Sequence, residues 1–245
     1  MKKNLPFFLA GTALVLLIIG VIMVLSSEEK SEVLSVVSEQ NASKPYSSAS
    51  QPVTKKTVEK IKKAERKPRE KAEEKIIFEF DEEDVLWWEV PDWCFEKQDY
   101  VGKGVAVSTR FAKKGQFSME LTADFPGKKW SAAYVETQEY FDWTPYERIS
   151  VDVFLPEGTP FGLQAKFILT VGDDWKWTEM ARLKKLIPGE WTTITASIIP
   201  GSTDWRRTQV TDEFRADVRK LGIRIESNMR PVYNGPIYID NMRLE

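Results

Sequence analysis

Four tryptophans sit where burying the ring would be costly: Trp130 in PGKKWSAA, Trp175 and Trp177 in GDDWKWTEM, and Trp205 in GSTDWRRT. Each lies in or beside a charged, glycine-containing stretch whose burial would strand polar groups. A flat indole with an electron-rich face can stack on the apolar face of another ring, and charged neighbours can bond to that ring's polar rim. Trp175 and Trp177 are two apart and would share one face of a strand. Polar partners are readable from alternation. Gln164 and Lys166 alternate with Leu163, Ala165 and Phe167, and Arg224 and Glu226 alternate with Ile223 and Ile225. All four are expected on a non-core sheet face. This is equipment for holding a ligand.

Composition removes most catalytic alternatives. The 245 residues include no His and one Cys, Cys94. That excludes histidine metal ligands, a Ser-His-Asp triad and an imidazole base, as well as a thiolate zinc cluster or an internal disulfide. Carboxylates remain: Glu136, Glu139, Asp142, Asp173, Asp174 and Glu179 could be paired in many ways. Glycoside hydrolysis would need two of them about 5–5.5 or 6.5–9.5 Å apart across a cleft, and no glycosidase signature surrounds any of them. The expectation is a non-enzyme. Residues 76–245 carry 21 basic and 28 acidic side chains, a balance opposite to that of a nucleic-acid-binding domain.

The elements that must carry these residues read as strands. Period-two alternation runs through Phe78–Phe80, Val105–Thr109, Phe117–Ala123, Ala132–Thr137, Ser150–Leu155, Leu163–Val171, Trp191–Ile198, Leu221–Ile225 and Ile237–Met242. Turn signals separate them, including Pro126-Gly127, Pro188-Gly189 and Gly235-Pro236. Only Asp212–Lys220 reads as a short helix. About ten short strands at this spacing predict an all-β, two-sheet antiparallel sandwich or a barrel. Trp143 and Trp191 adjoin alternating strands and are expected in the core; of the consecutive Trp87 and Trp88, one is expected to be buried.

The N-terminal third is different material. Leu5–Leu25 is a 21-residue run without a charge, long enough as a helix to cross the roughly 30 Å hydrocarbon core of a bilayer. Lys2 and Lys3 precede it and Glu28 and Glu29 follow. The expected topology is a cytoplasmic N-terminus with the rest periplasmic or extracellular. The run exceeds the about 7–15 apolar residues of a cleaved secretory signal, so it reads as an uncleaved anchor, with cleavage near Ser26 as the other reading. Residues 26–75, Ser-rich and then Lys/Glu-rich, have no sustained apolar period and read as a solvated tether. The expected organisation is therefore a stub at 1–4, an anchor at 5–25, a linker at 26–75 and a folded domain at 76–245.

Five segments of that domain, in order, carry a resemblance: FEFDEEDVLWW, GQFSMELTADFPG, DWTPYERISVDVFLP, LKKLIPGEWTTITASI and GPIYIDNMRLE. Together they resemble carbohydrate-binding modules with a β-jelly-roll, galactose-binding-like fold, found attached to bacterial mannanases and β-glucanases. The resemblance implies a jelly-roll sandwich that binds a polysaccharide of mannan or β-glucan type. Trp130, Trp175, Trp177 and Trp205 would stack on pyranose faces, and Gln164, Lys166, Arg224 and Glu226 would meet hydroxyls. It also implies a structural calcium ion where the first and last strands meet, with Glu79 or Asp81 and Asp240 as oxygen ligands; a salt bridge for Asp240 is the alternative. A protein of the cell envelope could instead be the partner, with the same fold serving as a scaffold.

Overall fold

In the computed structural model, residues 72–245 are described. The expected anchor at 5–25 and nearly all of the tether lie outside the described residues. Among the described residues no helix is long and apolar enough to cross a membrane.

Among the described residues eleven strands form two antiparallel sheets. The six-stranded sheet has the order β2 (Gly102–Ser108), β3 (Ser118–Pro126), β11 (Val232–Leu244), β5 (Arg148–Phe154) and β9 (Trp191–Ser197), with β1 (Lys75–Phe78) also pairing with β11. The five-stranded sheet has the order β4 (Trp130–Phe141), β10 (Val218–Asn228), β6 (Leu163–Val171) and β7 (Lys176–Glu179), with β8 (Lys184–Lys185) pairing further along β6. Three short helices complete the set: α1 (Glu82–Val85), α2 (Asp92–Phe95) and α3 (Asp212–Ala216). The strands follow the alternation, because each apolar set can leave water only by meeting the facing sheet. Leu221, Ile223 and Ile225 of β10, Phe167 and Leu169 of β6, and Val151 and Val153 of β5 are all completely buried between the sheets. Trp143 and Trp88 are also core residues, Trp87 is exposed, and Trp191 is only half-buried against Phe154.

Two features of the sequence behave differently from the alternation rule. Phe80 does not continue β1; it takes a left-handed φ of 57° and still buries its ring. The next residues, EEDV, form α1, capped by the Asp81 carboxylate, which accepts hydrogen bonds from the Glu83 and Asp84 amides. The aromatic-rich stretch around Trp93 is likewise not a strand. Glu89 pairs with Glu136, and Val101 and Asp99 bond to Ala132, so residues 89–101 lie along β4, the edge strand. Between those two attachment points α2 loops out over the sheet.

The outer face of the five-stranded sheet is set by register. Arg224 stands opposite Tyr134 on β4 and Lys166 on β6, while Glu226 stands opposite Ala132 and Gln164. Gly222 stands opposite Glu136 and Ile168. A Cβ at Gly222 would lie 2.4 Å from the Tyr134 hydroxyl oxygen and 2.5 Å from its ring, so glycine is what lets Tyr134 lie flat across the strand. Gly222→Ala should therefore displace the ring and destabilise the domain by about 1–3 kcal/mol. Calorimetry would read this as a lowered Tm, and an unchanged Tm would show that the ring can move aside freely.

Candidate functional site

The outer face of the five-stranded sheet gathers six of the eight residues expected to contact a ligand. Trp130 comes from β4, Arg224 and Glu226 from β10, Gln164 and Lys166 from β6, and Trp177 from β7. At its centre four charged groups close on one another. The Lys166 ammonium lies 2.9 Å from Glu179 and 3.3 Å from Glu226; the Arg224 guanidinium lies 2.8 Å from Glu179 and 2.7 Å from Glu226. Lys166 is only 2% exposed. Charges taken this far from water are tolerable only when neutralised and hydrogen-bonded, and two cations against two carboxylates meet that condition.

The rings are tied to this network. The indole N–H of Trp130 donates to Glu226 at 3.2 Å, and that of Trp177 donates to Glu179 at 3.3 Å. With their polar edges committed, both tryptophans present their faces. The Arg224 guanidinium also sits 5.9 Å from the Trp130 ring centre. Beneath Trp177 lies Tyr134, with ring centroids 5.6 Å apart, and Trp93 from α2 packs on both, at 5.6 Å from Tyr134 and 6.2 Å from Trp177. The Tyr134 hydroxyl donates to Glu136. Burial, reinforced by the Glu136 carboxylate, pushes the Tyr134 phenol well above its ordinary range, so it remains a donor. Trp93, Lys97, Tyr100, Trp177, Glu179 and Arg224 line an open groove of about 440 Å³.

Two expected residues are elsewhere. Trp205 is 4% exposed, its N–H donates to the Ser197 carbonyl at 2.8 Å, and its ring packs near Phe214. Of the charged neighbours that marked it as a surface residue, Arg206 and Arg207 are exposed and Asp204 turns back to accept the Ser197 amide, while the indole turns in with its one donor satisfied. It belongs to the core. Trp175 does not share a strand face with Trp177, because it occupies the turn before β7 with a left-handed φ of 52°. It lies at the end of the sheet, 5.3 Å from the Arg219 guanidinium, which Asp173 and Asp217 hold.

Sequence reasoning left Trp93 unassigned, weighed Glu179 only as a catalytic carboxylate, and passed over Lys97, Tyr100 and Tyr134. Tyr134 and Glu136 share parity with Trp130 on β4, a signal that was available. Trp93 reaches the site through the looping-out of α2, which no local pattern encodes.

The residues expected to hold calcium do not fit it. Asp240 is completely buried, but its carboxylate accepts hydrogen bonds from the Lys113, Lys114 and Asn241 amides. Asp81 is occupied as the cap of α1, and Glu79 is exposed. No three acidic side chains converge among the described residues. The donor that a buried Asp240 requires is thus backbone N–H.

No protein-family model matches the chain, and no curated protein matches it. Solved structures do. The chain is similar to CBM27-1 of Caldicellulosiruptor saccharolyticus, solved in complex with mannohexaose, at 21% identity over 71% of this chain and 97% of that one, with a TM-score of 0.49. It is similar to the family 11 carbohydrate-binding module of Clostridium thermocellum, solved with a β-1,3-1,4-mixed-linked tetrasaccharide, at 18% identity over 70% and 94% of the two chains, with a TM-score of 0.44. CBM28, described as specific for non-crystalline cellulose, matches at 11% identity over 68% and 91%, with a TM-score of 0.48. These neighbours are carbohydrate-binding modules with a β-sandwich jelly-roll fold.

The ion network has a consequence for acid stability. Burial alone would raise the Glu179 carboxyl, but hydrogen bonds from Lys166 and Arg224 outweigh it and carry the pKa from 4.5 down to about 2. A carboxylate whose folded pKa is depressed contributes its stabilisation above the unfolded value and loses it as pH falls through the folded one. Tm should therefore drop between pH 4.5 and 2. In Glu179→Gln that part of the profile should flatten while Tm at pH 7 falls. A variant with the wild-type pH profile would show that Glu179 does not carry it.

Proposed function

We propose that the protein binds a polysaccharide on the outer face of its five-stranded sheet and holds it without cleaving it. The observation that carries this reading is the open groove lined by Trp93, Trp177, Glu179 and Arg224, with Trp130, Lys166 and Glu226 tied to the same ion network beside it. Rings with fixed edges offer apolar faces to pyranose C–H surfaces. Charged groups whose geometry is already set can bond to hydroxyls without further ordering cost. The same network speaks against glycosidase chemistry. A general acid at neutral pH needs a raised pKa, whereas Glu179 is held down at about 2 by its cations.

Mannan, β-glucan and xylan are the first polymers to try in affinity electrophoresis. Trp177→Ala should lower retention at least tenfold with little change in Tm, because the ring is partly exposed, whereas Trp205→Ala should cost about 3–5 kcal/mol of stability. If Trp177→Ala leaves retention intact, the binding face is not this one. A second reading, an envelope scaffold that binds another protein, draws on Leu86 and Trp87, which are 83% and 71% exposed beside a separate hollow lined by Thr137, Gln138 and Glu139.

The apolar run at 5–25 and the Lys-before, Glu-after asymmetry support a single-pass anchor with the binding domain outside the cytoplasm. A C-terminally tagged chain should remain with membranes after alkaline extraction, and protease added to intact spheroplasts should remove the tag. A tag found in the soluble fraction or protected from protease would contradict that topology.

A further inference from the structure

One edge of the five-stranded sheet carries a run of exposed cations. Although residues 76–245 carry seven more acidic than basic side chains, six exposed cations line one edge of the five-stranded sheet. They are Lys176 on β7, Arg182 in the following turn, Lys184 and Lys185 on β8, and Arg206 and Arg207. All six lie along the β7–β8 side of β6, Lys176 opposite Val171 at one end and Lys184 and Lys185 opposite Ala165 and Gln164 towards the other. β7 and β8 both pair with β6, and the Arg206 segment is joined to β7 by the Met180–Trp205 bridge and the hydrogen bond from the Arg206 amide to the Glu179 carbonyl.

Among the described residues none of the six is paired with a carboxylate, although thirteen ion pairs are made by other cations. Of the carboxylates in the same segments, Asp173 is paired with Arg219, while Asp174 is exposed and makes no ion pair among the described residues. Glu179 is committed to Lys166 and Arg224, and Asp204 accepts the Ser197 amide. The rim adjoins the groove directly. Arg206 and Arg207 line a hollow of about 180 Å³ together with Trp177, Thr178 and Glu179. Arg206 is steadied there by donating to the Ala181 carbonyl. On the opposite wall Lys97 sits 4.6 Å from the Trp93 ring centre.

We infer that the groove takes an anionic polysaccharide, one bearing carboxylate or sulfate groups, with the sugar faces on Trp177 and Trp93 and the anions along the basic rim. This rests on the glycan-binding reading above and specifies its substrate class. Unpaired like charges strung along one edge repel one another, and a partner that neutralises them accounts for their presence in an otherwise acidic domain. Ring stacking alone would not distinguish charged from neutral sugars; the rim supplies that discrimination.

The test uses the full chain in neutral detergent, with polygalacturonate, the same polymer fully methyl-esterified, and dextran sulfate beside uncharged dextran. At least one acidic polymer should bind ten times or more as tightly as its neutral counterpart. That advantage should vanish between about 0.05 and 0.5 M salt, because exposed charges are screened over this range. Which acidic polymer wins separates carboxylate from sulfate. Charge reversal in the triple variant R182E/K184E/K185E should remove the advantage and leave neutral binding unchanged, while W177A weakens both. Should the triple variant misfold, the salt titration of the unaltered chain decides alone. Equal, salt-insensitive affinity for acidic and neutral polymers would overturn the inference and leave glycan binding standing. No binding of any polymer, including the neutral mannan and glucan series, would remove both. Acidic binding that W177A does not affect, matched by equal binding to vesicles of anionic lipid, would make the rim a general basic surface and overturn the inference.

Discussion

The four-way ion network on the five-stranded sheet is the interaction on which the rest of the site depends. Lys166 is 2% exposed, and neither it nor Arg224 could remain there without Glu179 and Glu226. Removing one partner from such a group generally costs more than the pair contributes, because a buried charge is left uncompensated. The network therefore has little room to change piecemeal. It also orients the two tryptophans whose indole N–H groups end on its carboxylates. The outer face of this sheet is thus built from the inside outward: register places the charges, the charges fix one another, and the rings are anchored to them.

Aromatic packing forms a second layer over this floor. Tyr134 lies flat because Gly222 has no side chain, Trp177 rests on Tyr134, and Trp93 closes on both from the segment that runs along β4. These contacts join four stretches distant in sequence, so the groove wall is ordered only when the whole sandwich has formed. Such preorganisation reduces what a ligand must spend on ordering side chains.

Much of the fold was legible because burial between two sheets imposes a period of two, and the strands from β2 to β11 follow it wherever the chain is regular. Legibility failed where the period was broken. The left-handed Phe80 and Trp175 each break the parity that would have placed their neighbours, and α1 and α2 occupy stretches too short to show a helical repeat. In the site, Gln164, Lys166, Arg224 and Glu226 could be placed by alternation alone. Trp205 could not, since the charged residues flanking it describe the outside of a turn whose central ring folds inward. Trp93 was out of reach for a different reason: its neighbours Tyr134 and Trp177 are brought to it only by the tertiary fold.

The segment 89–101 has a consequence beyond placing Trp93. By bonding to Glu136 and Ala132 it occupies backbone groups of β4 that an edge strand would otherwise offer to another chain. Copies of this domain arrayed closely on one extended polymer would be at very high local concentration, the circumstance in which open edges zip together. A covered edge would let copies gathered on a polymer, as proposed above, crowd without templating one another, each staying folded and separately releasable.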